Sequence, residues 1–272
     1  MPAKPSTVAN FLASLSEEKL SSATAKLYLS AVSNYHKEHG HLTPTRHSAV
    51  QAVLRGFCRK APQLPDKRLP ISLDVMRFMK TQIASSHLSR FDQHVVWFAF
   101  TLAFFGFLRV CELTTVNASS FDADRCLRFR DIYVSPTNSH LTVIIRRSKS
   151  DQNGFGHQVA LLATNRSVCP VRACQKFFAL LPNVNWEQSN SPVLSFRDGK
   201  FLTQSCFQRL LKTFLKTYPN GHRFSSHSFR IGAATAAAVK GHHPDSIKAA
   251  GRWKSNAYQG YIRKEVPCPT FY

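Results

Sequence analysis

The sequence predicts a mainly α chain with a small antiparallel β-sheet, arranged as two domains. Three observations carry this. Apolar residues recur at helical spacing at both ends of the chain, β-branched runs cluster only between residues 126 and 162, and one segment rich in proline and basic residues interrupts the pattern. That segment, "KAPQLPDKRLP" at residues 60–70, holds three prolines and three basic residues and is the linker candidate. The expected division is a helical domain over 1–62, a linker over 63–70 and a second domain over 71–272.

In chain order, a first helix is expected over Val8 to Leu20, starting at Ser6 or Thr7. "SATAKLYLSAVSNYHKEHG" places Tyr28, Ala31, Val32 and Tyr35 at helical spacing and closes on Gly40, a candidate C′ residue. "HSAVQAVLRGFCRK" repeats the spacing with Val50, Val53, Leu54 and Phe57. After the linker, "SLDVMRFMKTQIASS" and "SRFDQHVVWFAFTLAFF" predict two helices, the second apolar nearly all round and therefore buried. "CLRFRDIYVS", "LTVIIRR" and "GHQVALL" predict strands. Helices return over Val171–Leu181, Thr203–Tyr218, Ser226–Lys240, Pro244–Ala250 and Asn256–Arg263.

The chain carries 36 Lys+Arg against 15 Asp+Glu, a formal net charge of +21. This excess is spread along the chain, which points to a folded surface for a polyanion, with nucleic acid first. The longest apolar stretch, His94 to Leu108, is shorter than the roughly 18 residues a membrane helix needs, and no basic-then-apolar leader opens the sequence. The seven cysteines, Cys58, Cys111, Cys126, Cys169, Cys174, Cys206 and Cys268, are odd in number and scattered. That favours reduced thiols in an intracellular protein. A metal site joining them to His222, His242 or His243 is disfavoured, because no paired ligand spacing is present.

"SSHSFRIGAATAAAVKG", residues 225–241, places His227 and Arg230 on the first turn of an alanine-rich helix, behind two serines suited to N-capping. A helix N-terminus already favours anions. A metal-free phosphoryl-transfer site needs fixed positive charge on the non-bridging oxygens, a nucleophile and a proton donor for the leaving oxygen. Candidates follow one another: Arg109 at the end of the buried helix, Lys149 in "RRSKSDQNGFG" at a hairpin turn, His227 and Arg230, Trp253 in "GRWKSNAY", and Tyr261 in "YQGYIRK". Tyr258, three residues before Tyr261 and expected on the same helical face, is the rival nucleophile. Glu112 is expected to orient Arg109, and Arg146 and Arg147 to contact DNA backbone.

R-x-x-E-L at Arg109–Leu113, H-x-x-R at His227–Arg230, G-x-W at Gly251–Trp253 and Y-I-R at Tyr261–Arg263, in this order with a lysine hairpin between, resemble the tyrosine recombinase (phage integrase) family. "SKSDQ" and "GRWKSNAYQGYIR" look most like recombinases of DIRS-type and Crypton-type eukaryotic mobile elements. The resemblance implies a two-domain architecture, a helical core-binding domain plus an integrase-like catalytic domain, that grips double-stranded DNA and assembles as a tetramer on paired sites. It implies that Arg109 and Arg230 clamp the scissile phosphate and that His227 assists proton transfer at the tyrosine. Trp253 would donate its indole N–H to a phosphate oxygen or buttress the site. Lys149 would protonate the departing 5′ oxygen, and Tyr261 would attack phosphorus to form a 3′-phosphotyrosine link. No cofactor, neither metal nor ATP, is implied, and the location is nuclear for a eukaryotic element.

Two departures from the family stand out. Trp253 and Tyr261 are eight residues apart, one fewer than in many bacterial relatives, and eleven residues follow Tyr261. Two readings of that tail stay open, a segment too short to exchange between protomers or a truncated copy. A domesticated DNA-binding protein and a type IB topoisomerase-like enzyme are the alternative functions. The retained tyrosine argues against the first, and the separate helical domain and small size against the second.

Overall fold

The computed structural model describes residues 2–60, 66–148, 151, 154–164, 166–181 and 189–263. The expected lysine at 149, the centre of the linker, Cys268 and the tail beyond Arg263 lie outside them. The chain falls into two compact units, Met1–Asp66 and Lys67–Tyr272.

The first unit is helical: α1 (Pro5–Glu17), α2 (Ser22–Glu38), a 3-10 turn at Pro44–Arg46 and α3 (Ser48–Lys60). Proline opens α1, where its missing N–H costs nothing, so the helix starts before the expected Ser6 or Thr7. Ser21 caps α2 by accepting from Thr24 N, and Gly40 follows the helix with φ +70°. The core is Val8, Leu12 and Leu15 of α1, Ala25 and Leu29 of α2, and Val50 and Phe57 of α3. This corrects the expected face of α2. Tyr28 and Tyr35 are exposed, and the buried stripe runs instead through Ala25, Leu29 and His36. Tyrosine tolerates either setting because its hydroxyl is content in water, so spacing alone left two faces open.

The second unit is built around α5 (Arg90–Phe105), whose residues Val95 to Phe104 are all buried. α4 (Leu73–Ala84), α7 (Pro170–Phe178) and α9 (His227–Val239) pack against it. The Phe100 ring sits 5.0 Å from Phe207 of α8 (Gln204–Phe214) and 5.1 Å from Phe229 of α9. α6 (Val110–Leu113) follows α5 after a tight turn at Gly106–Phe107, where Phe107 holds φ +49°. Arg109 therefore stands at the N-cap of α6 and not at the end of the buried helix.

Strands β1 (Ile132–Val134), β2 (His140–Ile145) and β3 (His157–Leu162) form an antiparallel sheet in the order β1-β2-β3. Leu141, Val143 and Ile145 alternate into the core, the period-2 pattern of a half-buried strand. β1 is shorter than expected because Phe129–Asp131 form a 3-10 turn. There the Asp131 carboxylate accepts from Arg128 N and Nε, and it also accepts from Arg146 Nε. Arg146 is thus paired with Asp131 within the fold while part of its side chain stays exposed. Arg147 is exposed.

Candidate active site

Five of the six expected site residues lie on described elements, and the fold gathers them. α9 is seated first. A Cβ at Gly232 would fall 1.8 Å from the Ile71 carbonyl oxygen, so only glycine permits this approach. Ile71 N donates to Ser228 O at 3.0 Å, fixing the first turn of α9. The two serines before His227 do not cap by side chain. Ser226 has helical backbone angles (φ −54°, ψ −30°), whereas a capping side chain needs extended backbone. Gln208 Oε1 accepts from Ser226 N at 2.8 Å, and Ser228 Oγ accepts from Ser225 N at 3.0 Å.

His227 Nε2 lies 2.9 Å from the Tyr261 hydroxyl. With the ring proton on Nδ1, the imidazole accepts the phenol O–H, the geometry a base at this hydroxyl requires. Tyr261 ends a 3-10 helix, Asn256–Tyr261, that follows α10 (Pro244–Gly251). Thr235 ties this segment to α9, donating to Tyr261 O and accepting from Arg263 N at 3.1 Å. Tyr258, one turn earlier, is buried with Ala234 and Ile247.

Arg230 is fully enclosed, with 1% of its surface exposed. Its two terminal nitrogens donate to the carbonyls of Phe107 and Gly251. The guanidinium carbon stands 4.2 Å from the Trp253 ring centre and 5.6 Å from that of Tyr261. Burial first, then the charges of Arg109 and Arg252, push its pKa down to about 10, so it remains a cation at neutral pH. Trp253 presents its ring to Arg230 and lies 5.1 Å from the Tyr261 ring.

Arg109 Nη1 donates to Glu112 Oε1 at 2.9 Å, and Arg109 N donates to Glu112 Oε2 at 2.9 Å. Glu112 is buried and orients the arginine as expected, leaving 19% of the Arg109 side chain open. Sequence reasoning passed over Arg252, whose Nη2 donates to Glu112 Oε2 at 2.6 Å, and Thr235. Arg252 sat inside the quoted G-x-W motif, but its partner is 140 residues away.

A cavity of about 900 Å³ opens beside α6 and α8, lined by Cys111, Thr115, Asn117, Phe121, Arg125 and Gln208 among others. None of Arg109, His227, Arg230, Trp253 and Tyr261 lines it. The cluster gathers three guanidiniums, one carboxylate, an imidazole and a phenol. This is chemistry for holding an oxyanion beside an activated hydroxyl.

No protein-family model matches the chain. It is 23% identical over 245 residues to the "Integrase/recombinase xerD homolog" of Selenomonas ruminantium, covering 88% of this chain and 67% of that one. Among solved structures it is similar to the Tn1549 transposon integrase in complex with circular intermediate DNA, with TM-score 0.57, 14% identity, and 96% of this chain and 82% of that one covered. It is also similar to the XerH site-specific recombinase bound to palindromic difH substrate, in a post-cleavage complex, with TM-score 0.59, 16% identity, and 95% and 68% covered. The mainly helical fold with its three-stranded antiparallel sheet is therefore the tyrosine recombinase fold.

Proposed function

We propose that this chain is a tyrosine recombinase that cuts and rejoins double-stranded DNA through a 3′-phosphotyrosine intermediate. The observation that carries the reading is the 2.9 Å contact between His227 Nε2 and the Tyr261 hydroxyl, beside the buried Arg230. In the proposed step Tyr261 Oη forms a bond to phosphorus, its proton passes to His227, and the bond from phosphorus to the 5′ oxygen breaks. Arg109 and Arg230 offset the charge that develops on the non-bridging oxygens. Lys149, by the sequence resemblance, gives the departing 5′ oxygen its proton. The phosphodiester energy is kept in the protein–DNA bond, so the reverse attack rejoins the strand.

The net charge of +21 supplies the long-range attraction to DNA. The likeness to a transposon integrase supports a mobile element as the context, and the motifs "SKSDQ" and "GRWKSNAYQGYIR" support the DIRS and Crypton elements within it. On this reading the first unit is the core-binding domain, copies assemble as a tetramer on paired sites, and the protein works in the nucleus. The test is adduct formation on nicked duplexes drawn from the DNA flanking the gene. Tyr261→Phe is expected to lose the adduct while keeping its affinity for duplex, and Tyr258→Phe to keep both. An adduct that persists in Tyr261→Phe refutes the assignment. Loss of the adduct in every form, wild type included, with duplex affinity intact, favours a non-catalytic DNA-binding protein.

A further inference from the structure

We infer that Arg252 is a positioning residue for the reaction proposed above, acting on the phosphate-facing Arg109 through Glu112 and through the turn between α5 and α6. The inference rests on the recombinase reading for its chemistry, while its geometry stands on described residues alone.

Arg252 follows α10 with φ +55° and ψ 40°, the left-handed region that glycine or asparagine usually fills at a helix end. An arginine held in such a sparsely populated conformation signals that its side chain is needed there. The side chain is 5% exposed, so its charge is buried and must be matched. Nη2 donates to Glu112 Oε2 at 2.6 Å, and Nη1 donates to the Gly106 carbonyl at 3.2 Å. The next carbonyl, Phe107, accepts from Arg230. One planar fork thus joins the end of α10 to the turn that launches α6 and to the carboxylate that holds Arg109.

Glu112 makes the coupling specific. Its Oε1 accepts from Arg109 Nη1, and its Oε2 accepts from both Arg109 N and Arg252 Nη2. With Arg252 in place, the carboxylate is clamped on one side and presents a fixed oxygen to the Arg109 guanidinium. Without it, Glu112 keeps a single cationic partner and is free to draw Arg109 inward, away from its open side. Arg252 also adds a second positive charge beside Arg230, which biases the cluster toward an anion.

The test uses the full chain with Arg252→Met, Arg252→Lys, Glu112→Gln, and the double variant Arg252→Met with Glu112→Gln. Two readouts are taken: the rate of adduct formation on the nicked duplex, and side-chain nitrogen NMR of Arg109, which reports hindered rotation of a fixed guanidinium. Arg252→Met is expected to slow the adduct by about a hundredfold, the scale of a roughly 1 Å misplacement, with duplex affinity held. Arg252→Lys should recover part of the rate, because an ammonium still meets Glu112 but cannot fork to Gly106. The double variant should be no slower than the worse single one, since both act on the same arginine. Arg109 rotation should be hindered in the wild type and free in Arg252→Met.

Adduct rates in Arg252→Met equal to wild type, multiplying losses in the double variant, or an Arg109 guanidinium as fixed as before would each overturn the inference. If Arg252→Met does not fold, Arg252→Lys and Glu112→Gln carry the same two readouts. Failure of the wild type to form any adduct defeats the recombinase reading, while the Arg109 rotation still decides the role of Arg252.

Discussion

Gly251 is the position where one added methyl group should separate the site from the fold. An ideal Cβ there falls 1.7 Å from Cζ3 and 2.0 Å from Cε3 of Trp253. Carbon atoms rest about 3.5 Å apart, so in Gly251→Ala the indole must withdraw by roughly 2 Å. That ring is the platform for Arg230, 4.2 Å from its centre, and it packs 5.1 Å from Tyr261. Alanine gains up to about 1 kcal/mol over glycine in a helix. Overpacking costs about 1–3 kcal/mol, and losing a desolvated cation–π contact costs about 2 kcal/mol more. The net expectation is a destabilisation of roughly 2–4 kcal/mol by urea unfolding. Adduct formation should fall by about a hundredfold or more, because the phenol moves with the indole. Gly56 is the control: it lies in α3 with nothing within 4 Å of its ideal Cβ. Gly56→Ala should stabilise the protein by about 0.5–1 kcal/mol and leave the adduct rate unchanged. If Gly251→Ala unfolds at the wild-type midpoint and cleaves at the wild-type rate, the stacked arrangement of Trp253, Arg230 and Tyr261 is wrong.

Thr235→Val keeps the side-chain shape but removes the oxygen that accepts from Arg263 N and donates to Tyr261 O, so it should cost about 1–3 kcal/mol and lower the adduct rate more than duplex affinity. Lys149→Ala should bind duplex but cleave slowly, and a substrate with sulfur at the 5′ leaving position, which needs little protonation, should restore the rate. Absence of rescue would mean that another group is the acid. Asp151 accepts from Gly156 N at 2.7 Å and Phe155 N at 3.2 Å, and the Gly156 hydrogen bond first of all holds its carboxyl below the usual 3.8. Its contribution to the β2–β3 turn is therefore whole above about pH 4 and lost as pH falls through the lower folded value. Amide-exchange protection of Phe155 and Gly156, corrected for intrinsic rates, should drop over that window in the wild type and be low at every pH in Asp151→Ala.

Much of this architecture is legible from local pattern. The unbroken apolar run in α5 can only be a buried helix, and the alternation in β2 fixes which side chains face the core. The gathering of Arg109, His227, Arg230, Trp253 and Tyr261 follows the order of the sequence motifs. What escaped depends on partners far along the chain. Nothing beside Arg146 in the sequence announces its ion pair with Asp131, 15 residues upstream. The serines before His227 read as caps, but the chain enters α9 already helical, so their side chains cannot reach the first amides. Arg252 draws no notice in the sequence, because nothing local announces a carboxylate 140 residues earlier. Tyr258 and Tyr261 are equivalent by spacing, and only packing separates the buried ring from the one whose hydroxyl meets His227.

In the proposed reaction the Tyr261 hydroxyl, hydrogen-bonded to His227, becomes covalently joined to a DNA 3′ phosphate. The most direct measurement is to trap the wild-type protein on a nicked suicide duplex from the DNA flanking the gene, digest it with protease and nuclease, and sequence the modified peptide by mass spectrometry. A nucleotide attached through phosphorus at Tyr261 is the expected result. Attachment at Tyr258, or at any serine or other side chain, would contradict it.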